Sequence, residues 1–406
     1  MFSLISSFLL FLFILLLPTQ LGKHFFMDFS YLSGSRIDYL APTLYATDIL
    51  VFALALLNIK TVIRFFQNKF VLIGIIALLV NVHFSLSPII SLIKFVKIVE
   101  LCIIFSIIKT RRVHPGLFMA TVTLGTFGEF VLVVLQFISK HSLQGIFYWF
   151  GERYFTLSTP DIAKMSLQGI EFLRPYGTFS HPNSMGGFYL LLYTLVLIDK
   201  RLSPYFLRKI LFLTLASLLI LFSFSKIAIV MFFVINIIYV FIQKKKWCKL
   251  CLTARLIALI ALSALFLSAK GDVLTVDKRL TLISNSLSII ASRPLTGTGI
   301  GAYLIAQHEF PIKYSYVFLQ PVHNIFLLFF SELGVIIGGI VGYIGLRFLK
   351  EKVVFKTSKK GLRRILNYVG ILCLFVIGVT GFFDHYWLTL QQNMLLIPVV
   401  VAFISD

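Results

Sequence analysis

Apolar runs long enough to cross a bilayer recur along the whole chain, separated by short polar breaks. The pattern predicts helices over 2–19, 44–59, 70–83, 88–108, 116–138, 183–198, 210–224, 226–242, 254–269, 324–346, 365–383 and 388–404. The stretch 210–242 is almost unbroken and is divided at Phe224-Ser225-Lys226. Undivided, it would be one very long helix, and every later segment would change sides. Two gaps stand out, 139–182 and 270–323, because long loops in a compact chain are usually functional or disordered. Trp149, Tyr154, Tyr176, Phe179, Tyr303 and Tyr314 make them too aromatic for simple disordered linkers. Short interfacial helices lying across one mouth of a bundle are expected there. The fold class that follows is an all-α polytopic membrane protein, residues 1–406 forming one membrane domain of about twelve transmembrane helices.

Composition agrees. The chain is 59% hydrophobic and 13% charged, against about 25% charged for soluble domains, so lipid is its main solvent. The formal charge of +21 would suit nucleic acid, but the cations fall in short clusters between apolar runs. No nucleic-acid partner is expected; membrane lipids are. With the N-terminus inside, the segments 60–69, 109–115, 199–209, 243–255 and 347–364 carry 23 of the 37 Lys and Arg residues. The other side carries 12, and Lys94 and Lys97 lie within a helix. The positive-inside rule therefore puts 139–182 and 270–323 outside the cytoplasm. Met1 to Pro18 lacks a basic start and a clear cleavage site, and reads as a retained first helix. The four cysteines imply no disulfide framework, and Trp247-Cys-Lys-Leu-Cys251 sits in a basic loop without a redox-fold pattern.

Four places carry candidate chemistry. Arg174-Pro-Tyr-Gly-Thr-Phe-Ser-His-Pro-Asn183 runs into a helix that Asn183 can cap, with Arg174 either snorkelling to headgroups or supplying charge to an anion or sugar site. Arg279 precedes an amphipathic run ending at Ser292-Arg293-Pro-Leu-Thr-Gly-Thr-Gly-Ile-Gly301. Those glycines lack P-loop spacing and a preceding strand, so a tight bend between interfacial helices is preferred for them. Arg279 can bind phosphate bidentately. His323 stands at the end of the second long loop, where it is either a helix-start residue or a general base. Glu332 follows on the same helix, an intramembrane acid at the base of a cavity. Ser225-Lys226 marks an outer turn, where the lysine is either a snorkelling cation or a charge for the substrate. Asp384-His-Tyr-Trp387 reads as an aromatic belt with a solvated acid. No His, Asp or Glu pair at ligand spacing is visible on the outer side, so no metal and no cofactor is expected.

The order of Arg174 to Asn183, Arg279 to Gly299, His323-Asn324 and Glu332-Leu-Gly334 resembles the O-antigen ligase/polymerase superfamily of bacterial membrane glycosyltransferases. The resemblance implies a GT-C-like fold and a multi-pass protein of the bacterial cytoplasmic (inner) membrane. It implies a polyprenyl-diphosphate-linked glycan donor and metal-independent transfer to a glycan, lipid A-core or protein hydroxyl acceptor on the outer face. It places catalytic roles on His323 and Arg279. The residues themselves suggest substrate binding by Arg174, Lys226, Asn183, Arg293 and Glu332. Where the family often has Ser-Arg at a mid-chain helix end, this chain has Ser225-Lys226, which keeps the charge and loses the fork. The competing reading is a transporter or flippase for an anionic lipid-linked glycan, with Lys94, Lys97, Glu100 and Glu129 near the bilayer midplane and Lys97 and Glu100 spaced to pair.

Overall fold

The computed structural model describes residues 2–159, 162–167, 170–242, 257, 260, 264, 274–311, 318–357 and 364–405. The chain is mostly helical. The helices are α1 (Phe2–Leu15), α2 (Ala46–Leu57), α3 (Ile59–Phe66), α4 (Lys69–His83), α5 (Pro88–Arg111), α6 (Pro115–Ser139), α7 (Pro182–Ile198), α8 (Phe206–Phe222) and α9 (Lys226–Ile242). They continue with α10 (Leu274–Ser292), α11 (Tyr303–His308), α12 (Ile325–Leu349), α13 (Tyr368–Phe383), α14 (Tyr386–Thr389) and α15 (Gln391–Ile404). The sequence-predicted helix 254–269 and the Trp247–Cys251 stretch lie outside the described residues, apart from helical positions 257, 260 and 264. The break between α8 and α9 falls where the polar residues put it: Phe224 takes a left-handed φ of 48°, and α9 starts at Lys226.

Several expectations need correcting. The span 44–59 holds α2, and the chain then bends by 91° at Asn58 into α3, so the inner segment 60–69 is largely helix. Among the described residues, α6 and the helix from Ile325 are long and apolar enough to cross a bilayer alone, and α2 with α3 would make a third. α5 is 24 residues long but holds Lys94, Lys97 and Glu100 in its middle, and six other apolar helices are shorter than 18 residues. The chain is also not purely helical. Four two-stranded antiparallel pairs are present: β1 (Gly22–His24) with β4 (Thr43–Tyr45), β2 (Tyr31–Leu32) with β3 (Ser35–Arg36), β5 (Lys164–Leu167) with β6 (Ile170–Leu173), and β7 (Phe355–Thr357) with β8 (Arg364–Leu366). Strands of two to four residues are too short to show a period-two pattern. The segment 139–182 therefore carries a 3-10 turn at Gly145–Phe150 and a hairpin, while 270–323 carries the 19-residue α10 and the short α11.

The main core packs α7, α8 and α15 against α1, α5, α6 and α9, with Phe13, Phe118, Phe188, Tyr189, Phe212 and Phe403 fully buried. The basic turns gather at one end. Arg111 bonds Asn58 through Nε at 2.9 Å, Arg201 reaches the Phe403 carbonyl at 2.7 Å, and Lys109 bonds the Ser405 carbonyl. The long loops gather at the other end, where Thr178 bonds the Pro18 carbonyl at 2.7 Å and Ser180 bonds Gln20 at 2.6 Å.

A break inside α12 shapes that second end. Gly334 has a φ of +69°, which interrupts the helix and frees two carbonyls. The Gly-rich bend fills the break: Thr298 N–H donates to Ser331 O and Gly299 N–H to Glu332 O, each at 2.9 Å. Asn81 clamps the bend from α4, donating to Thr296 O at 2.7 Å and accepting from Ile300 N–H at 2.9 Å. A Cβ on Gly297 would lie 2.5 Å from the Glu332 backbone, so the approach needs glycine. The glycines hold backbone, as the bend reading expected, and their partner is the broken helix.

The arrangement predicts sidedness. Ser142 and Gln307, obvious loop positions in the sequence, are buried, so Tyr154 and Leu295, which are 72% and 60% exposed, are the positions to test. Cysteines placed at these two sites should react with an impermeant maleimide in intact cells. Labelling that appears only after lysis would reverse the orientation.

Candidate active site

β6 delivers Arg174. Its N–H bonds Ala163 O at 3.1 Å, and Tyr176 Oη accepts from Ala163 N–H at 2.8 Å, fixing the exit of the hairpin. The guanidinium turns inward. Nε and one terminal nitrogen donate to the Ser223 carbonyl at 3.1 and 2.8 Å, and that same terminal nitrogen reaches Asn183 Oδ1 at 2.5 Å. Burial is the largest influence on Arg174 and lowers it to about 10, so it stays charged at neutral pH.

Asn183 does not cap α7. Pro182 occupies the first helical position, so the cap falls one residue earlier, on His181, whose Nδ1 accepts from Asn183 N–H at 3.1 Å. The Asn183 side chain is left to bridge: it accepts from Arg174 and donates to Asp384 Oδ2 at 2.9 Å.

Asp384 is the residue the sequence reading placed wrongly. It is 4% exposed, not solvated. Besides Asn183 it receives the His385 backbone N–H at 2.8 Å and lies 3.3 Å from His323 Nδ1, both through Oδ1. Burial pushes Asp384 up, but the hydrogen bond and charge of His323 outweigh it and hold Asp384 well below the ordinary carboxylate range. An ionised carboxylate only accepts, so His323 Nδ1 carries a proton toward Asp384. Asn324 caps α12 through Phe326 N–H and Leu327 N–H at 2.9 and 3.0 Å, which fixes His323 at the helix entrance.

His385 completes the cluster. Thr389 Oγ1 donates to the His385 carbonyl at 3.1 Å, so it accepts from His385 Nδ1 at 2.7 Å and leaves Nε2 unprotonated. That nitrogen lies 4.0 Å from Asp384 Oδ1, and the His323 and His385 ring centroids are 5.0 Å apart. His323, Asp384 and His385 thus offer three ligand atoms within 4.8 Å, a metal-capable cluster that the sequence reading did not find. Its members lie sixty positions apart and meet only because the start of α12 touches the end of α13.

The other expected residues divide. Arg279 on α10 is half-buried, its buried Nε has no hydrogen-bond partner, and its charge is felt at both Arg174 and His385. Lys226 is exposed as the first residue of α9, three positions beyond the carbonyl that anchors Arg174. Arg293 is exposed beyond the end of α10, fourteen residues after Arg279 and so about 20 Å along the helix from it. It does not join the cluster. Glu332 faces a cavity of about 410 Å³ that Pro321, Thr389, Ser180 and Tyr39 also line. The 20–43 segment, which the sequence reading passed over, builds much of that cavity, and Tyr39 packs edge-on against His385 at 5.7 Å.

Residues 210–344 match the family model described as O-Antigen ligase. The match covers about a third of the chain and contains Lys226, Arg279, Arg293, His323 and Glu332. It supports the O-antigen ligase/polymerase superfamily, and with it a glycosyltransferase of the general ligase or polymerase type in a membrane. No curated protein matches the chain.

The buried imidazoles set an acid limit. Burial lowers His181 and His385 from 6.5 to about 3 each, with Arg174 adding to the effect at His181. Between those values the unfolded chain binds protons that the folded chain does not, so stability falls as pH drops from about 6.5 toward 3, by up to about 1.4 kcal/mol per pH unit for each histidine. Asp384, held low, loses its contribution in a more acidic window still. Melting of the purified protein from pH 7.5 to 4.5 should show this slope, and His181→Asn, which keeps a cap, should flatten it. A melting temperature independent of pH would contradict the assignment.

Proposed function

We propose that the chain is a metal-independent membrane glycosyltransferase, an O-antigen ligase or a surface polysaccharide polymerase. It transfers a glycan from a polyprenyl-diphosphate donor to an acceptor hydroxyl on the outer face of the bacterial cytoplasmic membrane. About twelve crossings, with 139–182 and 270–323 outside, belong to this reading. What supports it is the meeting of Arg174, Arg279 and the His323–Asp384 pair, from three separate segments, at the end opposite the basic turns.

In this reading Arg279, with its unpaired Nε, and the exposed Lys226 take the donor diphosphate beside Arg174. Asp384 holds His323 Nδ1–H, and His323 Nε2 takes the proton of the acceptor hydroxyl. The acceptor oxygen bonds the anomeric carbon as the bond to the diphosphate oxygen breaks. The electron pair leaves with the polyprenyl diphosphate, and attack opposite the leaving group inverts the centre. Fixed cations at the leaving oxygen stabilise the transition state by about 3–4 kcal/mol each, by analogy with oxyanion-hole donors. The transporter reading draws on a different observation, Lys97 set between Asp48 and Glu100 with the expected Lys97–Glu100 pair at 3.7 Å.

Purified protein with a polyprenyl-diphosphate glycan should release polyprenyl diphosphate in excess chelator. Loss restored only by added metal would move His323, Asp384 and His385 into a metal site, and a complete lack of bond cleavage would favour transport. His323→Ala should lower turnover about 10²–10⁴-fold while donor still binds. Asp384→Asn should lower turnover and shift its pH profile. Lys226→Arg should retain most activity, whereas Lys226→Ala and Lys226→Gln should lose it together with donor affinity. Full activity in Lys226→Ala alongside a dead Arg279→Ala would leave the diphosphate to the arginines.

A further inference from the structure

His385 has no part in the transfer chemistry, yet it is built into one cluster with the base. Its ring lies 5.0 Å, centroid to centroid, from that of His323, and its Nε2 is 4.0 Å from Asp384 Oδ1. Asp384 Oδ1 is in turn 3.3 Å from His323 Nδ1. One ligand atom from each residue falls within 4.8 Å of the other two. Ligand atoms around a tetrahedral zinc ion stand roughly 3.4 Å apart. The Asp384–His323 edge already has that length. The widest edge allowed by the 4.8 Å limit would close by about 1.4 Å, shared between two side chains.

The hydrogen bonds around the cluster aim these atoms inward. A metal-binding imidazole donates its other ring N–H to a fixed acceptor. His385 Nδ1 does so to Thr389 Oγ1 at 2.7 Å, which leaves the Nε2 lone pair for an ion. Asn183 holds Asp384 Oδ2 at 2.9 Å and leaves Oδ1 to the two imidazoles. The His323 side chain is 20% exposed, against 6% for Asp384 and 7% for His385, so an ion enters past His323. Two imidazoles and one carboxylate suit zinc and its late first-row neighbours, whereas magnesium and calcium prefer oxygen ligands. Neighbouring cations oppose a dication. The charge of Arg279 is felt at His385, and Arg174 is one amide away from Asp384. With only three protein ligands, that repulsion makes a bound ion exchangeable and not resident.

We propose that His323, Asp384 and His385 form a zinc site that switches the transferase off. The switch rests on the transferase reading, in which His323 Nε2 is the base. Zinc takes the lone pair of His323 Nδ1, so the single proton of the neutral ring moves to Nε2. The base becomes a donor and no longer accepts the proton of the acceptor hydroxyl. A ring already protonated on both nitrogens reaches the same state by releasing its Nδ1 proton to solvent. Zinc also claims Asp384 Oδ1, the atom that held the Nδ1 proton.

The test uses the full-length protein in nanodiscs, stripped with chelator and dialysed, with zinc chloride as the probe. Equilibrium dialysis should show one more zinc bound to wild type than to His385→Phe, which keeps a ring against Tyr39. Zinc should stop release of polyprenyl diphosphate from a lipid-linked glycan, chelator should restore it, and magnesium should do neither. Relative to its own metal-free rate, Thr389→Val should need about ten- to a hundredfold more zinc for half-inhibition, the usual loss when a partner of a metal-bound imidazole is removed. His385→Phe should need at least as much, and Thr389→Val carries the test if His385→Phe does not fold. Equal zinc binding by wild type and His385→Phe would overturn the site and leave the transferase reading standing. So would unchanged half-inhibition in both variants, as expected of zinc acting on the donor diphosphate. Zinc bound through His385 without slowing cleavage would overturn the switch. A metal-free wild type that cleaves only once zinc is added would overturn both the switch and the metal-independent reading. If wild type cleaves no donor under any condition, the transferase reading and the switch fall together, while dialysis still decides the site.

Discussion

Asp384 is a carboxylate withdrawn from water, and a buried charge is tolerated only when hydrogen bonds and opposite charge compensate it on the spot. Its compensation comes from Asn183 on α7, from His323 at the entrance to α12, and from the backbone at the start of α14. Asn183 passes the constraint on to Arg174, and Arg174 passes it to the carbonyl that ends α8. One acid therefore ties four helix ends to each other, and the same contacts fix the tautomer of His323. Removing the acid would leave an arginine, an amide and two imidazoles to find new partners in a dry environment.

The opposite wall of the site is built by a defect. A helix in lipid satisfies its own backbone, so interrupting α12 at Gly334 exposes carbonyls that something must meet. The Gly-rich bend meets them with its own N–H groups, and Asn81 locks both strands of the contact. The bend thereby holds Gly301 and Tyr303 on the cavity wall and ties Glu332 to the site end. What looks in sequence like a phosphate loop is a backbone clamp on the broken helix.

The cavity depends on the segment between α1 and α2. Two short strand pairs fold 20–43 over the end of the bundle, and Tyr39 packs edge-on against His385. Lys94 and Lys97 on α5 then serve two purposes. Lys97 is a neutralised structural cation held by acids on two helices, while Lys94 remains part of the cavity surface.

The sequence alone determined that the chain is mostly helical and apolar and where many of its helices lie, because an apolar helix writes its length into an apolar run. The split at Phe224-Ser225-Lys226, the pairing of Lys97 with Glu100 and the helix entrance at His323-Asn324 were all legible, since each depends on neighbours within a turn or two. Glu332 was legible as an acid inside an apolar run, and Arg174, Arg279 and His323 as polar residues of the two long loops. Tertiary structure decided the rest. The 91° bend at Asn58, the displaced cap at His181 and the break at Gly334 follow from local backbone geometry that composition does not encode. Asp384 read as a solvated acid because its partners lie sixty and two hundred residues away, and only packing could show it buried among them. Arg293 stood close to the motif in sequence and is far from the site in space, because the straight helix α10 separates it from Arg279.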